Sequence, residues 1–353
     1  MVAGGSGGHI YPAVSLAKEL INKGHDVTFI GANDRMEKDV IPGLGYKFIG
    51  LDTKTTRGGI KQKINSLLSI GDSYTKCLKI LKGNCDMVIG FGNYISVPVI
   101  LAARTLKIKV VLHEQNSFVG RANRMLDKMA DLVIVSYQES IKQFKNPNTI
   151  LLGNPQSSVA SNVKKDTKVI EDLGLDPNKK TVVIFMGSLG SESVLNVILD
   201  YFKLIDGTNV PYQVVYATGV KHYDKAKAYV RDNVAIFDKI DGATVMANSD
   251  LLVSRAGATT LAEITALGTA SILIPSPYVP NNHQFYNAKA LVDKDAAVML
   301  EEKELNAYKL KEMIESLIED DEARNIIGKN ARALGNDNVV EDIIDRIEKL
   351  WKQ

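Results

Sequence analysis

The sequence predicts an α/β protein made of two doubly wound units in tandem, and three observations carry that expectation. Short apolar, β-rich runs alternate with helical segments through most of the chain, the sequence form of a parallel sheet covered by helices on both faces. The alternation restarts in the middle. The length, 353 residues, exceeds what a single hydrophobic core sustains, so two domains are expected.

In the first half the strands are expected at Val27–Ile30, Met87–Ile89, Val110–His113 and Leu132–Val135, with helices following from Pro12, Gly59, Tyr94 and Gly120. In the second half the strands are expected at Thr181–Met186, Gln213–Tyr216, Val234–Phe237, Leu251–Val253 and Ser271–Ile274. The C-terminal stretch is helical by periodicity, with Leu317, Ile326, Ile343, Ile344, Ile347 and Trp351 among its apolar positions. The expected domains are residues 1–153, joined by a last helix over 338–353 that crosses back, and residues 154–337, divided at the Gly153-Asn154-Pro155 turn signal. Only Met1-Val2-Ala3 precede the first glycines, so upstream residues of a first strand are expected to be missing from the sequence.

The net charge of +2 hides an asymmetry. Residues 1–153 carry 20 Lys and Arg against 12 Asp and Glu, a net of +8, and the remainder carries 23 against 29, a net of −6. The first half therefore suits an anionic partner. Two cysteines, Cys77 and Cys85, are too few for a disulfide framework or a zinc site and point to a reducing cytosol. No apolar stretch approaches transmembrane length; Val97 to Ala103 is the longest and contains Pro98. Because the glycine loop follows Met1 closely, no signal peptide is expected.

Three glycine turns follow strands. Gly4-Gly5-Ser6-Gly7-Gly8-His9 lies before a helix, where backbone N–H groups at a positive helix end can meet a pyrophosphate with no Cβ in the way. It is neither a dinucleotide fingerprint nor a Walker loop: the third glycine of the first pattern would fall on Ile10, and no Gly-Lys-Ser/Thr follows for the second. Gly90-Phe91-Gly92-Asn93-Tyr94 and Gly187-Ser188-Leu189-Gly190-Ser191 are the others. All three are expected at carboxyl ends of strands, the edge where open α/β sheets bind ligands.

His113-Glu114-Gln115-Asn116 ends a strand at that same edge and reads as functional, with helix capping by Asn116 as the alternative. Arg255-Ala256-Gly257-Ala258-Thr259-Thr260 precedes a helix carrying Glu263. This turn suits an anion, and the carboxylate can accept both hydroxyls of a ribose. The histidines are scattered, and Asp293-Lys294-Asp295 reads as a solvated helix end, so metal-independent catalysis with no cofactor is expected. From Lys54 to Lys82 the chain carries seven basic residues (Lys54, Arg57, Lys61, Lys63, Lys76, Lys79 and Lys82) against Asp72 alone. Interleaved Ile60, Ile64, Leu67, Leu68, Ile70, Tyr74, Leu78 and Leu81 fit either a helix resting on an anionic membrane or a core-facing helix with a basic outer face.

Taken together these residues resemble the MurG family, bacterial N-acetylglucosaminyltransferases that convert lipid I to lipid II. The likeness runs from Gly4 through Asn287 and rests on an ordered set of motifs: Gly4 to His9 with Pro12, Asp34-Arg35-Met36-Glu37, His113 to Asn116 with Gly120 and Asn123, Gly187 to Gly190, Arg255 to Ala258, and His283-Gln284 with Asn287-Ala288. It departs at Asn93, which replaces a glycine, at Ala256, which replaces a serine, and at Gln156-Ser157, where an arginine is usual after Asn154-Pro155. Lys164 or Lys165 are speculative substitutes for that arginine.

The resemblance implies a GT-B fold, with two Rossmann-like domains facing a central cleft, the acceptor and membrane on the first and the UDP-sugar on the second. It implies UDP-N-acetylglucosamine as donor, lipid I as acceptor and attachment to the anionic cytoplasmic face of the cell membrane. Cell-wall synthesis or division proteins are implied partners, and no nucleic acid is expected. By match, Ile240 would offer backbone atoms to uracil, Glu263 would hold ribose and Ser188 the diphosphate, within a donor site that includes Arg255, Ala258, Thr259 and Asn287. Gln284 and Asn116 would recognise N-acetylglucosamine. Ser6, Gly7, Gly8, Tyr94 and Asn123 complete the expected site, the first three lining the acceptor side.

The expected reaction is a single inverting displacement by the acceptor's 4-hydroxyl. His9 is the first candidate base, because an imidazole titrates near ~6.5, and Glu114 is the second. A UDP-N-acetylglucosamine 2-epimerase, another glycolipid glycosyltransferase and a nucleotide-sugar-binding regulatory subunit remain as alternatives.

Overall fold

The computed structural model describes residues 1–52, 60–187 and 190–352, with side chains outside 60–68. Two compact units separate: Met1–Gln156 with Asn338–Gln353, and Ser157–Asp337.

The first unit contains β1 (Thr28–Ala32), β2 (Lys47–Leu51), β3 (Met87–Gly90), β4 (Lys109–Glu114), β5 (Leu132–Val135) and β6 (Thr149–Leu151). β1 pairs with β2, and β3 to β6 lie side by side, all parallel. The three residues Met1–Ala3 fill the position between the two sets. Val2 bridges in parallel to Ile30 in β1 and to Gly90 in β3. Its N–H donates to the Ile89 carbonyl at 2.8 Å, and its carbonyl accepts from Phe91 N at 2.9 Å. This short central strand delivers the first glycine loop at the point where strand order reverses, where such sheets form a crevice.

The second unit contains β7 (Lys180–Phe185), β8 (Tyr212–Ala217), β9 (Val234–Phe237), β10 (Leu251–Ser254), β11 (Ser271–Leu273) and β12 (Val298–Met299). They form one parallel sheet in the order β12-β11-β10-β7-β8-β9, which reverses between β7 and β10. β8 is buried along its whole length, as expected of a strand covered on both faces.

β2, β6 and β12 have no counterpart among the expected strands. They are half-exposed or only two to three residues long, so none forms a continuous apolar run. The expected helix at Pro12 begins instead at Gly7 and runs to Asn22. Ile10, Ala13, Leu16, Ala17 and Leu20 bury one face of it. The final helix, Val339–Trp351, places Val339, Val340, Ile343, Ile344 and Ile347 in the same core cluster of the first unit.

The basic segment forms the helix Ile60–Leu81. Cys77 and Leu81 are buried, and Tyr74, Leu78 and Ile80 pack against the first unit's core, which is the core-facing alternative for this half of the helix. The expectations for Lys54, Arg57 and Gly59, and for side chains through Leu68, lie outside the described residues. Among the described residues no helix is long and apolar enough to cross a membrane, and no three acidic, His or Cys side chains are grouped to hold a metal ion.

Candidate functional site

Each sheet gathers polar residues at its carboxyl edge. In the first unit, Ser6 precedes the Gly7–Asn22 helix and His9 lies in its first turn. The Ser6 hydroxyl is 3.1 Å from His9 Nδ1, and His9 Nε2 is 3.1 Å from the Gly92 carbonyl oxygen. A carbonyl can only accept, so Nε2 carries the proton of neutral His9 and Nδ1 is the basic nitrogen, receiving the Ser6 hydroxyl. The first and second glycine loops are thereby joined.

Below them sits a side chain to which sequence reasoning gave no role. Glu37 is fully buried; its Oε2 accepts from Gly5 N at 3.0 Å and its Oε1 from Ala32 N at 3.0 Å. Gly4 is required here because a Cβ would collide with the Glu37 carboxylate, and Gly5 has φ +84°, a left-handed conformation that suits glycine. Asn93 turns its Oδ1 to Ile95 N at 2.9 Å and keeps the loop's turn despite replacing a glycine. Burial raises the Tyr94 phenol, which the neighbouring Arg35 opposes.

The four polar residues after the third strand behave differently from expectation. His113 and Glu114 lie inside β4, and both are buried together with Gln115. His113 Nε2 is 3.0 Å from the Gly153 carbonyl, Nδ1 is 3.1 Å from Gln115 Nε2, and the ring stacks on Phe91 at 5.2 Å. Burial pushes this imidazole down to about 4, so it is neutral and structural.

Glu114, the second candidate base, accepts from Asn116 N and Nδ2 on Oε1 and from Gly120 N and Asn123 Nδ2 on Oε2, at 2.9 to 3.2 Å. Burial raises its pKa and these bonds oppose the shift. Four donors occupy its lone pairs, so its geometry is that of a carboxylate holding a loop rather than taking a substrate proton. Asn123, expected to line the site, is fully buried behind that loop and donates to the His113 carbonyl at 3.0 Å. Asn116 alone of the four is half-buried.

In the second unit the organising group is Arg255, just past β10. It is buried and ion-paired to Glu302 at 2.7 Å. It donates through Nη2 to Ser191 Oγ at 2.7 Å and Ser193 Oγ at 2.8 Å, and through Nη1 to the Ile274 carbonyl at 3.0 Å. Burial lowers its pKa and Glu302 opposes the shift. Arg255 thus fixes the start of the Glu192–Leu204 helix against the end of β10. Gly190, at φ +70°, lies against the Thr218 carbonyl, where any Cβ would collide.

Ala258, Thr259 and Glu263 belong to the helix Ala258–Leu267, with Glu263 almost wholly buried. Asn287, fully buried, donates to the Ala256 carbonyl at 3.2 Å. Gln284 Oε1 accepts from Ser276 N at 2.9 Å. Ile240 lies in the loop between β9 and the helix Gly242–Ala247, whose first residue sits against the Phe185 ring at the end of β7.

Ser188 lies outside the described residues. Lys165 lines a small cavity with Thr181 and Asp250, at the amino ends of β7 and β10. That is the edge opposite the loops, so it cannot replace the missing arginine, and Lys164 is exposed beside it. Gln156, at the arginine's expected position, instead accepts from the Ser15 hydroxyl at 3.1 Å. Ser191 was expected as the last residue of the third glycine loop, whereas Ser193 and Glu302 were not anticipated. Ser193 follows that loop closely, and Glu302 is brought to Arg255 by folding alone.

These two polar edges coincide with matches to known proteins. The glycosyltransferase family 28 N-terminal domain matches residues 1–135, and the family's C-terminal domain matches residues 181–347. A UDP-N-acetylglucosamine–N-acetylmuramyl-(pentapeptide) pyrophosphoryl-undecaprenol N-acetylglucosamine transferase of Pediococcus pentosaceus is 34% identical, over 99% of this chain and 98% of its own. The enzyme of the same name from Bacillus cytotoxicus is 37% identical over the same shares. The chain belongs to the MurG family of glycosyltransferases.

The crystal structure of Acinetobacter baumannii MurG superimposes with a TM-score of 0.80 at 25% identity, covering 99% of this chain and 98% of that one. The calicheamicin glycosyltransferase CalG4 follows the same GT-B architecture with a TM-score of 0.71 at 16% identity, covering 99% and 97%. A Listeria monocytogenes protein described as a putative UDP-N-acetylglucosamine 2-epimerase reaches 0.69 at 14% identity, covering 96% and 91%, which is a likeness of fold alone. Family membership therefore rests on the identity along the whole chain, and the epimerase likeness adds only the architecture.

Proposed function

We propose that this protein transfers N-acetylglucosamine from UDP-N-acetylglucosamine to the 4-hydroxyl of lipid I, giving lipid II, with inversion at the anomeric carbon and without a metal ion. The observation that carries this reading is the basic nitrogen of His9, held among the glycine loops of the first unit, in a chain matched end to end by transferases of that name. The first unit takes the acceptor, with Ser6, Gly7, Gly8 and Tyr94 around its sugar. The second takes the donor: Ile240 backbone atoms meet uracil, Glu263 the ribose, and Gln284 the N-acetyl sugar. Arg255, Ala258, Thr259 and Asn287 shape the pocket.

In the proposed step the acceptor oxygen attacks the anomeric carbon as its proton passes to the Ser6 hydroxyl oxygen, while the hydroxyl's own proton moves to His9 Nδ1. The bond to UDP breaks with its electron pair leaving on the diphosphate. N–H groups at the starts of the Glu192–Leu204 and Ala258–Leu267 helices receive that charge. Because the acceptor of the named relatives carries undecaprenol, the protein works as a peripheral partner of the cytoplasmic face of the membrane, a reading to which the basic first half contributes.

Radiolabelled UDP-N-acetylglucosamine and a short-chain lipid I analogue test the proposal. Label extractable with the lipid, at a rate unchanged by a chelator, is the expected result. Epimerised nucleotide sugar with no labelled lipid would overturn it, and a chelator-sensitive rate would remove the metal-independent step.

A further inference from the structure

Beneath the first glycine loop the chain places a carboxylate that none of the steps above uses. We propose that Glu37 is a positioning residue: it fixes the Gly4–Ser6 loop and, through Ser6, holds His9 with Nδ1 as its basic nitrogen. The inference rests on the reading of His9 as base.

Three features support it. Glu37 is fully buried, yet both oxygens are used, one by Gly5 N in the loop and one by Ala32 N at the end of β1, each at 3.0 Å. A buried carboxylate is costly to desolvate, and two backbone donors from separate segments offset that cost only when both are in place. Glu37 also opens the helix Glu37–Gly43, whose N-terminal end favours a negative charge.

The surroundings are shaped to this side chain. A Cβ at Gly4 would collide with Glu37 Oε1, and one at Gly31 would lie 2.7 Å from its Cγ. The next residue after the bonded Gly5 is Ser6, whose hydroxyl meets His9 Nδ1 at 3.1 Å, while Gly92 holds the other ring nitrogen. Glu37, Gly5, Ser6 and His9 therefore form one chain from the end of β1 to the basic nitrogen.

A consequence concerns ligand chemistry. The Gly5 N–H, which a phosphate cradle would present to its anion, already faces a carboxylate. This loop is thus built to orient a hydroxyl and an imidazole, and a phosphate oxygen is disfavoured at Gly5 by the negative charge below.

Glu37→Gln is the direct test, because the amide keeps the shape but turns an NH2 toward one of two N–H donors. The expected result is a kcat lower on the order of 10²-fold, as for a misplaced reacting group, with the KM for UDP-N-acetylglucosamine changed less than about twofold. In parallel, 15N NMR of the imidazoles, with His9 assigned through a His9→Asn variant, should show His9 as the Nε2–H tautomer in the wild type. The tautomers should be mixed in Glu37→Gln.

Gly4→Ala, which displaces the carboxylate but keeps its charge, should reproduce both effects. A folded variant with wild-type kcat and a wild-type His9 spectrum overturns the proposal. If neither variant folds, Ser6→Ala decides, because it cuts the link between the loop that Glu37 holds and the ring: mixed His9 tautomers support the proposal and a wild-type His9 spectrum overturns it. A wild type that transfers no sugar would defeat the proposed function, whereas the tautomer measurement would still judge Glu37.

Discussion

The glycine loop after Met1–Ala3 and the one after β7 occupy corresponding places in two sheets of similar topology, yet they rest on side chains of opposite charge. Under the first lies Glu37, accepting the loop's own N–H. Beside the second lies Arg255, donating to Ser191 and Ser193 and answered by Glu302. Topology supplies the position, at the strand-order reversal of each sheet. The buried charge then differs in what it holds: in one unit it accepts from the loop's backbone, and in the other it donates to the two serines that open the next helix.

The largest expected effect breaks or keeps the first half of this contrast. His9→Ala should lower kcat by about 10²- to 10⁴-fold at saturating substrates, the usual worth of a general base. Near-normal turnover would leave the first loop without the chemical role assigned to it.

Arg255→Met tests the other half. It leaves Glu302, whose side chain is only 12% exposed, without its cation, and losing one partner of a largely buried pair costs about 3 kcal/mol. Urea unfolding should register that loss together with weakened binding of UDP-N-acetylglucosamine. A variant as stable as the wild type would mean that the pair does not hold the second loop.

Acid should sharpen the contrast from another side. His113 is neutral in the fold with its pKa at about 4, against ~6.5 for an unfolded histidine, so the unfolded chain binds the extra proton first. Its contribution to stability is complete above about pH 6.5 and is lost as pH falls toward 4, by up to about 3 kcal/mol. Urea unfolding at several pH values should show a slope in this window that His113→Gln reduces. The smallest effect is that of Asn287→Ala, which removes the bond to the Ala256 carbonyl: about 1 to 2 kcal/mol in stability. Donor KM should rise and acceptor KM should not.

How much was legible beforehand divides along a physical line. Strands buried on both faces, such as β5 and β9, appear in the sequence with their observed limits because every residue must be apolar. The short edge strands β6 and β12 lack that constraint and were invisible. Among site residues, glycines, His9 and Arg255 stood out through motif and order. The distinction between a residue that faces a ligand and one that braces a loop did not. His113 and Glu114 read as functional and Asn123 entered by family match, yet all three are buried braces, because the sequence records a side chain's type but not which neighbours satisfy it.

The sequence by itself determined the α/β class, the family and the loops at strand ends, since hydrophobic period and glycine placement are local properties of the chain. Only the tertiary structure decided where the expected first-strand stub and last helix sit, Met1–Ala3 between β1 and β3 and Val339–Trp351 beside the Gly7–Asn22 helix, and that Glu37 and Glu302 meet Gly5 and Arg255. Each of those pairings joins residues far apart in the chain. What selects them is the need to satisfy buried charge and apolar surface together, which no local window of sequence expresses.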